Sequence, residues 1–423
     1  MLNSYLKTAW RTLWKQRSIT AINVLGLSVG LAVCLLVGLL VWDQLTHDDF
    51  HPGAERLYRV TTERQNNSTP FAASPAGLAP VLREGVAGTE AATRLHRTGE
   101  NVVHEGQGYQ ADGLYAEPRF FEVFGFELAA GRADEALAAP YTAVISEALA
   151  RRVYGTTDVV GETFRLGEGD LFTITGVIDR AHYRSHLAFD VLYSFATLQQ
   201  TRPDRLASDW ERAYSYYTYV RLAPGSTPQS LADPLRAIED QYLPSPTEEG
   251  TQPLRFQLQA VADIALGPTL SNEIADGMLP ATVGYFLGAL ALLVLLAAGF
   301  NYVNLSTARS LTRSREVGVR KAVGARRGQV VGQFMAEAVL VAGLALAVAI
   351  VLLQGLVPMF NQLSVVNQLG AQIDVAAGPR LYGAFVLFAL GVGGLASIYP
   401  AWHLSRFNPA HGLKWAGQKQ EPR

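Results

Sequence analysis

The sequence of 423 residues is poor in several things, and each shortage excludes something. It holds one cysteine, Cys34, so no disulfide forms within the chain and any folded domain rests on its own core. Only 17% of its residues are charged, against about a quarter in ordinary globular proteins, while 49% are hydrophobic. Lysine is missing from residues 43–280, a stretch with 19 arginines and 33 acids for a net charge of −14. Neither G-x-x-x-x-G-K-[ST] nor H-E-x-x-H occurs, which excludes P-loop nucleotide binding and the zinc-peptidase helix. Nothing points to nucleic acid, a cofactor or a resident metal.

What is present is apolar sequence in long runs. Residues 19–42, 281–303, 330–360 and 381–402 each exceed the roughly 20 residues that cross about 30 Å of hydrocarbon. The first is too long, and too short of a small-residue cleavage site, for a removable signal peptide. Outside these runs the charge is unevenly divided: residues 1–17 carry +4, residues 305–331 carry +6 and residues 403–423 carry +3. By the positive-inside rule these three segments face the cytoplasm, and the acidic segment lies on the other side. The pattern predicts a multi-pass α-helical membrane protein of four transmembrane helices, with a large α+β extracytoplasmic domain inserted between helices 1 and 2. The expected boundaries are an interfacial helix 1–17, spans at 18–42, 281–304, 332–357 and 381–402, and the outer domain at 43–280. A cytoplasmic loop follows at 305–331, an outer loop at 358–380 and a cytoplasmic tail at 403–423.

Periodicity places helices and strands within this plan. Leu2, Tyr5, Leu6, Ala9, Trp10, Leu13 and Trp14 keep helical spacing, with Lys7, Arg11 and Lys15 on a separate stripe, as expected of a helix at the headgroup boundary. In the first span Gly26, Gly30, Cys34 and Gly38 recur every four residues, a small-residue stripe that lets another helix approach, from this chain or a second subunit. In the outer segment, 143–155 reads as a strand running into a helix, 170–178 and 214–222 as strands, and 234–243 as a helix. The Pro- and Glu-rich piece 243–253 reads as a loop, a candidate hinge.

Candidate chemistry is sparse. "HDDFH" (47–51) and "DRAHYRSH" (179–186) each set two histidines four apart beside acids, which on a helix would make metal ligands. Neither stretch reads as a helix, so turn and surface roles are the expectation. Glu337 lies about two turns into the third span and reads as polar glue between helices rather than as part of a proton path.

The loop "SREVGVRKAVGARRGQV" (314–330) is read as a short capped helix. Ser314 caps it, Glu316 and Arg320 pair at i, i+4, and Gly324 ends it. Val319, Ala322 and Val323 form one apolar ridge. From these residues alone, docking on a cytoplasmic partner and resting on anionic lipid stay equally open.

Residues 301–340, with "NYVNLSTARSLTRSREVGVRKAVGARRGQVVGQFMAEAVL", resemble the conserved region of FtsX-like and MacB-like permeases of ABC transporters. "TAINVLGLSVGLA" (20–32), "DDFHPGAERLYRV" (48–60), "FFEVFGFELAAGR" (120–132), "GETFRLGEGDLFTITGVI" (161–178), "SHLAFDVLYS" (185–194) and "YPAWHLSRFNPAHGLK" (399–414) resemble further segments of that family in order. The resemblance implies a non-enzymatic permease unit in the bacterial inner membrane, with both termini cytoplasmic and a MacB-like periplasmic core domain. Its partner would be a dimer of separate ABC ATPase subunits, contacted through Glu316, Gly318, Arg320, Lys321 and Gly324. Many relatives hold two such units in one chain, so a homodimer, or a heterodimer with a second permease unit, is expected, and a periplasmic adaptor is a further candidate partner. Export or mechanotransmission is the leading function; an FtsX-like regulator that activates a cell-envelope enzyme is the alternative.

Overall fold

The computed structural model describes residues 2–64, 69–207, 210, 215–243, 254–275, 277–308, 323, 326–363, 373 and 378–405. The chain divides into two compact units, one of Met1–Asp43 with Thr282–Arg423 and one of Gln44–Ala281. In chain order the helices are α1 (Leu2–Lys15), α2 (Arg17–Leu45), α3 (Leu78–Gly85), α4 (Phe120–Phe124), α5 (Glu147–Tyr154), α6 (Phe195–Thr201), α7 (Pro203–Ala207), α8 (Ala232–Tyr242), α9 (Ala281–Ala308), α10 (Arg327–Asn361) and α11 (Pro379–Ser405). The strands are β1 (Leu57–Arg64), β2 (Thr89–Thr98), β3 (Val102–His104), β4 (Gln107–Tyr109), β5 (Gly113–Ala116) and β6 (Ala130–Gly131). Then come β7 (Thr142–Ser146), β8 (Thr163–Leu166), β9 (Leu171–Ile178), β10 (Val191–Ser194), β11 (Tyr216–Leu222) and β12 (Leu254–Ala260).

Among the described residues, four helices are long and apolar enough to cross a membrane: Arg17–Leu45, Ala281–Ala308, Arg327–Asn361 and Arg380–Ile398. They pack through small residues. A side-chain carbon placed on Gly30 would lie 3.0 Å from Ala298 Cβ, one on Gly26 3.2 Å from Asn301 Nδ2, and one on Gly38 3.4 Å from the Phe385 ring. Cys34 Sγ also donates to Ala291 O at 3.3 Å. The stripe on α2 therefore faces this chain's own α9 and α11. Gly393 of α11 is set as tightly against Ala338 and Ala342 of α10. By contrast α9 leaves Phe286, Leu293 and Phe300 exposed.

Glu337 of α10 is buried. It borders a small cavity of about 40 Å³ with Gln16, Thr20, Asn23, Tyr302 and Ser306. A cavity of that size with polar walls can hold water, and a carboxyl in such company is held by polar contacts among helices.

The second unit is built on a mixed sheet. Its order is β12-β1-β11-β2-β5-β10-β7-β9-β8-β3-β4, with β6 added on β9. The pairs β5–β10 and β7–β9 are parallel and the others antiparallel. The expected strand-to-helix step is β7 running into α5, capped by Ser146, whose hydroxyl accepts from Leu149 N. The strands at 170–178 and 214–222 and the helix at 234–243 correspond to β9, β11 and α8. Of the loop at 243–253, read as a candidate hinge, residues 244–253 lie outside the described residues. One face of the sheet buries Phe120, Phe124, Phe126, Phe189 and Tyr219, and a second cluster gathers Phe164, Phe172, Tyr193 and Phe195. At about 1.5–3 kcal/mol for each large buried apolar side chain, such a core holds the unit without disulfides.

Candidate functional site

Sheet register explains how the site is assembled. Arg59 of β1 sits opposite Tyr219 of β11 on one side and Gln259 of β12 on the other. Its guanidinium, 1% exposed, grips both carboxylate oxygens of Glu273 and donates through Nε to Gln259 Oε1 at 2.8 Å. Burial would lower the Arg59 pKa, but the hydrogen bonds and charge of Glu273 together with the neighbouring Tyr219 outweigh it and the value is raised; the same pair holds Glu273 below the usual carboxylate range against its own burial. The Tyr219 hydroxyl, pushed well up by burial, faces His186 Nε2 at 2.8 Å.

Beyond His186 lies Asp48, and here the two histidine stretches meet. Asp48 Oδ2 accepts from His186 Nδ1 at 2.8 Å. Its Oδ1 accepts from His51 Nε2 at 2.8 Å, from Ser185 Oγ at 2.8 Å and from His186 N at 3.2 Å. On its far side the His51 ring meets Phe124 O, 2.6 Å from Nδ1, so each of its ring nitrogens faces an oxygen. Asp48, His51 and His186 are all buried. Asp48 adopts φ 64°, a left-handed conformation that a non-glycine residue takes only where its surroundings hold it. Burial would raise the Asp48 carboxyl, but His186 beside it and hydrogen bonds from both imidazoles hold it well below the usual range.

The ligand atoms of Asp48, His51 and His186 lie within 4.8 Å of one another, close enough for a metal ion. The donor set argues for another use. Each inner nitrogen already faces its own carboxylate oxygen, and each outer nitrogen has a partner, Phe124 O or the Tyr219 hydroxyl. A cation would find no lone pair to claim without breaking one of these bonds. The cluster is a closed hydrogen-bond network, a clasp joining the segment after α2 to the loop before β10.

Two further contacts fix that segment. Gln44 Nε2 donates to Gly277 O at 3.0 Å while its Oε1 accepts from Leu279 N at 2.8 Å, so the entering and leaving segments of this unit are tied together. Gly125, with φ 71°, lets Pro52 approach so closely that a Cβ there would sit 2.3 Å from Pro52 Cδ. Beside them a groove of about 910 Å³ opens between Phe121, Phe126 and Leu128, with Arg119, Glu122 and Glu127 on its walls.

Of the sequence-derived residues, Asp48, His51 and His186 come together, one histidine from each stretch, whereas His182 is an exposed surface residue facing Asp179 at 3.3 Å. Turn rather than helix runs through 46–50, so the i, i+4 geometry does not arise. Tyr219, Arg59 and Glu273 carried no motif of their own; the sequence signal was the strand-like alternation of 214–222, which contains Tyr219. Glu316, Gly318, Arg320, Lys321 and Gly324 lie outside the described residues.

Comparison with known proteins gives two family-model matches, the MacB-like periplasmic core domain over residues 20–238 and the FtsX-like permease C-terminal region over residues 288–409. Among curated proteins, the pyoverdine export ATP-binding/permease protein PvdT of Pseudomonas fluorescens is 25% identical over 96% of this chain and 59% of its own length. The chain thus spans about three fifths of that relative. The ABC transporter permease YknZ of Bacillus subtilis is 22% identical over 95% of this chain and 96% of its own length. The solved periplasmic region of MacB from Actinobacillus actinomycetemcomitans aligns over 48% of this chain and 89% of its own, at 11% identity and a TM-score of 0.35.

Proposed function

We propose, because this chain belongs to the FtsX-like permeases of ABC transporters with a MacB-like periplasmic core domain, that it is the membrane subunit of an export or mechanotransmission system. A separate cytoplasmic ATPase dimer hydrolyses the ATP, contacts the 305–331 loop and moves the outer domain through the spanning helices. The orientation follows from the charge division: basic segments 1–17, 305–331 and 403–423 in the cytoplasm and the acidic unit outside.

The observation that carries this reading is the double fastening of residues 44–51 within the outer domain. Force arriving along α2 would be dissipated in a loose linker. Here Gln44 is bonded to Gly277 and Leu279, and four residues on Asp48 is bonded to His51, Ser185 and His186. A displacement at Gln44 therefore reaches β10 and β11 as a rigid-body movement, the kind of transition that packed elements transmit. Nothing in such a mechanism needs chemistry at the clasp.

The coupling loop provides the test. With the full chain and its ATPase co-purified, Glu316→Arg and Gly324→Trp are each expected to lower permease-stimulated ATP hydrolysis at least about tenfold, the loss of one or two docking contacts. Far-ultraviolet circular dichroism should stay unchanged. Full stimulation and undiminished ATPase association in both variants would refute the proposal.

A further inference from the structure

Helix α1 presents an unexpected combination on its exposed side. The sequence pattern set its tryptophans opposite its cations, but the face that packs inward contains Ala9, with Thr8, Thr12 and Leu13 half-buried. Trp10 and Trp14 are 50% and 72% exposed. Their rings stack at 6.3 Å, and with Arg11 and Lys15 they line one open cleft of about 610 Å³. The same helix packs against α10, so this exposed side points away from the bundle it belongs to.

We infer that this cleft binds the headgroup of one anionic phospholipid, the phosphate between Arg11 and Lys15 and the glycerol and upper acyl carbons on the two indoles. Three observations lead there. Only Gln16 separates α1 from the start of α2, so the cleft lies within a few residues of the hydrocarbon boundary, the level at which tryptophans collect. Residues 1–42 contain Lys7, Arg11, Lys15 and Arg17 and no acid at all, so the field at the cleft is positive from every side of its own segment. Two stacked indoles supply a flat apolar wall that a soluble anion would not use but that the glycerol end of a lipid covers. The guanidinium adds paired donors that match phosphate oxygens, and the ammonium adds a point charge. Neither the coupling loop nor the clasp enters into this inference, so it stands or falls apart from the proposed function.

The test uses native mass spectrometry of the full chain in detergent with equal amounts of phosphatidylglycerol and phosphatidylcholine of matched acyl chains. Phosphatidylglycerol is expected to remain bound in preference, and Arg11→Gln with Lys15→Gln to cut its retention roughly thirtyfold, as two lost surface cations predict. Trp10→Ala with Trp14→Ala should reduce retention of both lipids while the melting temperature stays unchanged, since all four side chains are exposed. Equal retention of the two lipids, or unchanged phosphatidylglycerol retention in the double glutamine variant, would overturn the inference. So would displacement of the lipid by equimolar glycerol 1-phosphate, which would identify a free phosphate as the ligand. A photo-crosslinker at position 10 that captures the ATPase subunit and no lipid would overturn it in favour of a protein partner.

Discussion

At the scale of single residues, Asp48 is the point on which the outer domain's acid response turns. Its carboxyl is held below the usual range in the folded protein, so the stabilisation it gives is complete above the unfolded value of about 3.9 and is lost as pH falls through the folded value. A thermal-unfolding series followed by tryptophan fluorescence should therefore show the outer domain weakening steeply below about pH 4. In Asp48→Asn that part of the slope should vanish, and the variant should already be destabilised at pH 7 by about 3 kcal/mol, since an amide leaves buried imidazole donors without a carboxylate. An unaltered acid slope in the variant would show that the clasp does not set it. The absence of lysine from 43–280 acquires a physical sense at the same scale. Arg59, Arg94 and Arg221 are buried. Arg59 grips Glu273 with both terminal nitrogens, and Arg94 and Arg221 bind Glu117 and Glu90 through Nε, geometry that a lysine ammonium does not reproduce. The histidine stretches were visible in the sequence as stretches; their joining was not, because the contact between Asp48 and His186 spans 138 residues and depends on a turn, not on a helix period.

Among elements, the spanning helices were legible because hydropathy, length and charge all point the same way, and the small-residue stripe of α2 was legible as a stripe. Which helix faces it was not, since spacing within one helix says nothing of its neighbour; Ala298 and Asn301 answer that for Gly30 and Gly26. The tight approach gives a sharp expectation. Gly30→Leu must push α9 away, because even a Cβ already lies 3.0 Å from Ala298 Cβ and 3.6 Å from Leu295 Cα. Overpacking of this kind costs about 1–3 kcal/mol, read as a lower melting temperature of the detergent-solubilised chain. Gly299→Leu, at a position with open space around it, is the control and should leave the melting temperature almost unchanged. In the outer unit the strands and helices with clear alternation or amphipathic spacing were readable, whereas short pieces such as β3, β4 and β6 take their state from the partners they pair with, which propensity alone does not supply.

For the molecule as a whole, β1 is the seam. It lies between β11 and β12, the two strands made last, with Leu57 opposite Arg221 and Tyr58 opposite Ala260. Phe256 of β12 closes a core with Val60, Leu82, Val220 and Leu235. Phe256→Asp is expected to cost at least about 4 kcal/mol, by loss of a buried ring and burial of a charge. Limited proteolysis should then cut throughout 44–281 while fragments containing the four spanning helices stay intact; cleavage confined to β12 would mean that the strand is peripheral. The pairing also fixes a timetable. Strand β1 meets its partners only after about 160 and 200 further residues have been made, which at roughly 5–20 residues per second is a wait of about 10–40 s with both edges of a strand unpaired. During synthesis the domain therefore passes through a long interval in which a neighbouring nascent chain can take the place of β12, and how crowded its surroundings are in that interval will govern how much of it folds correctly.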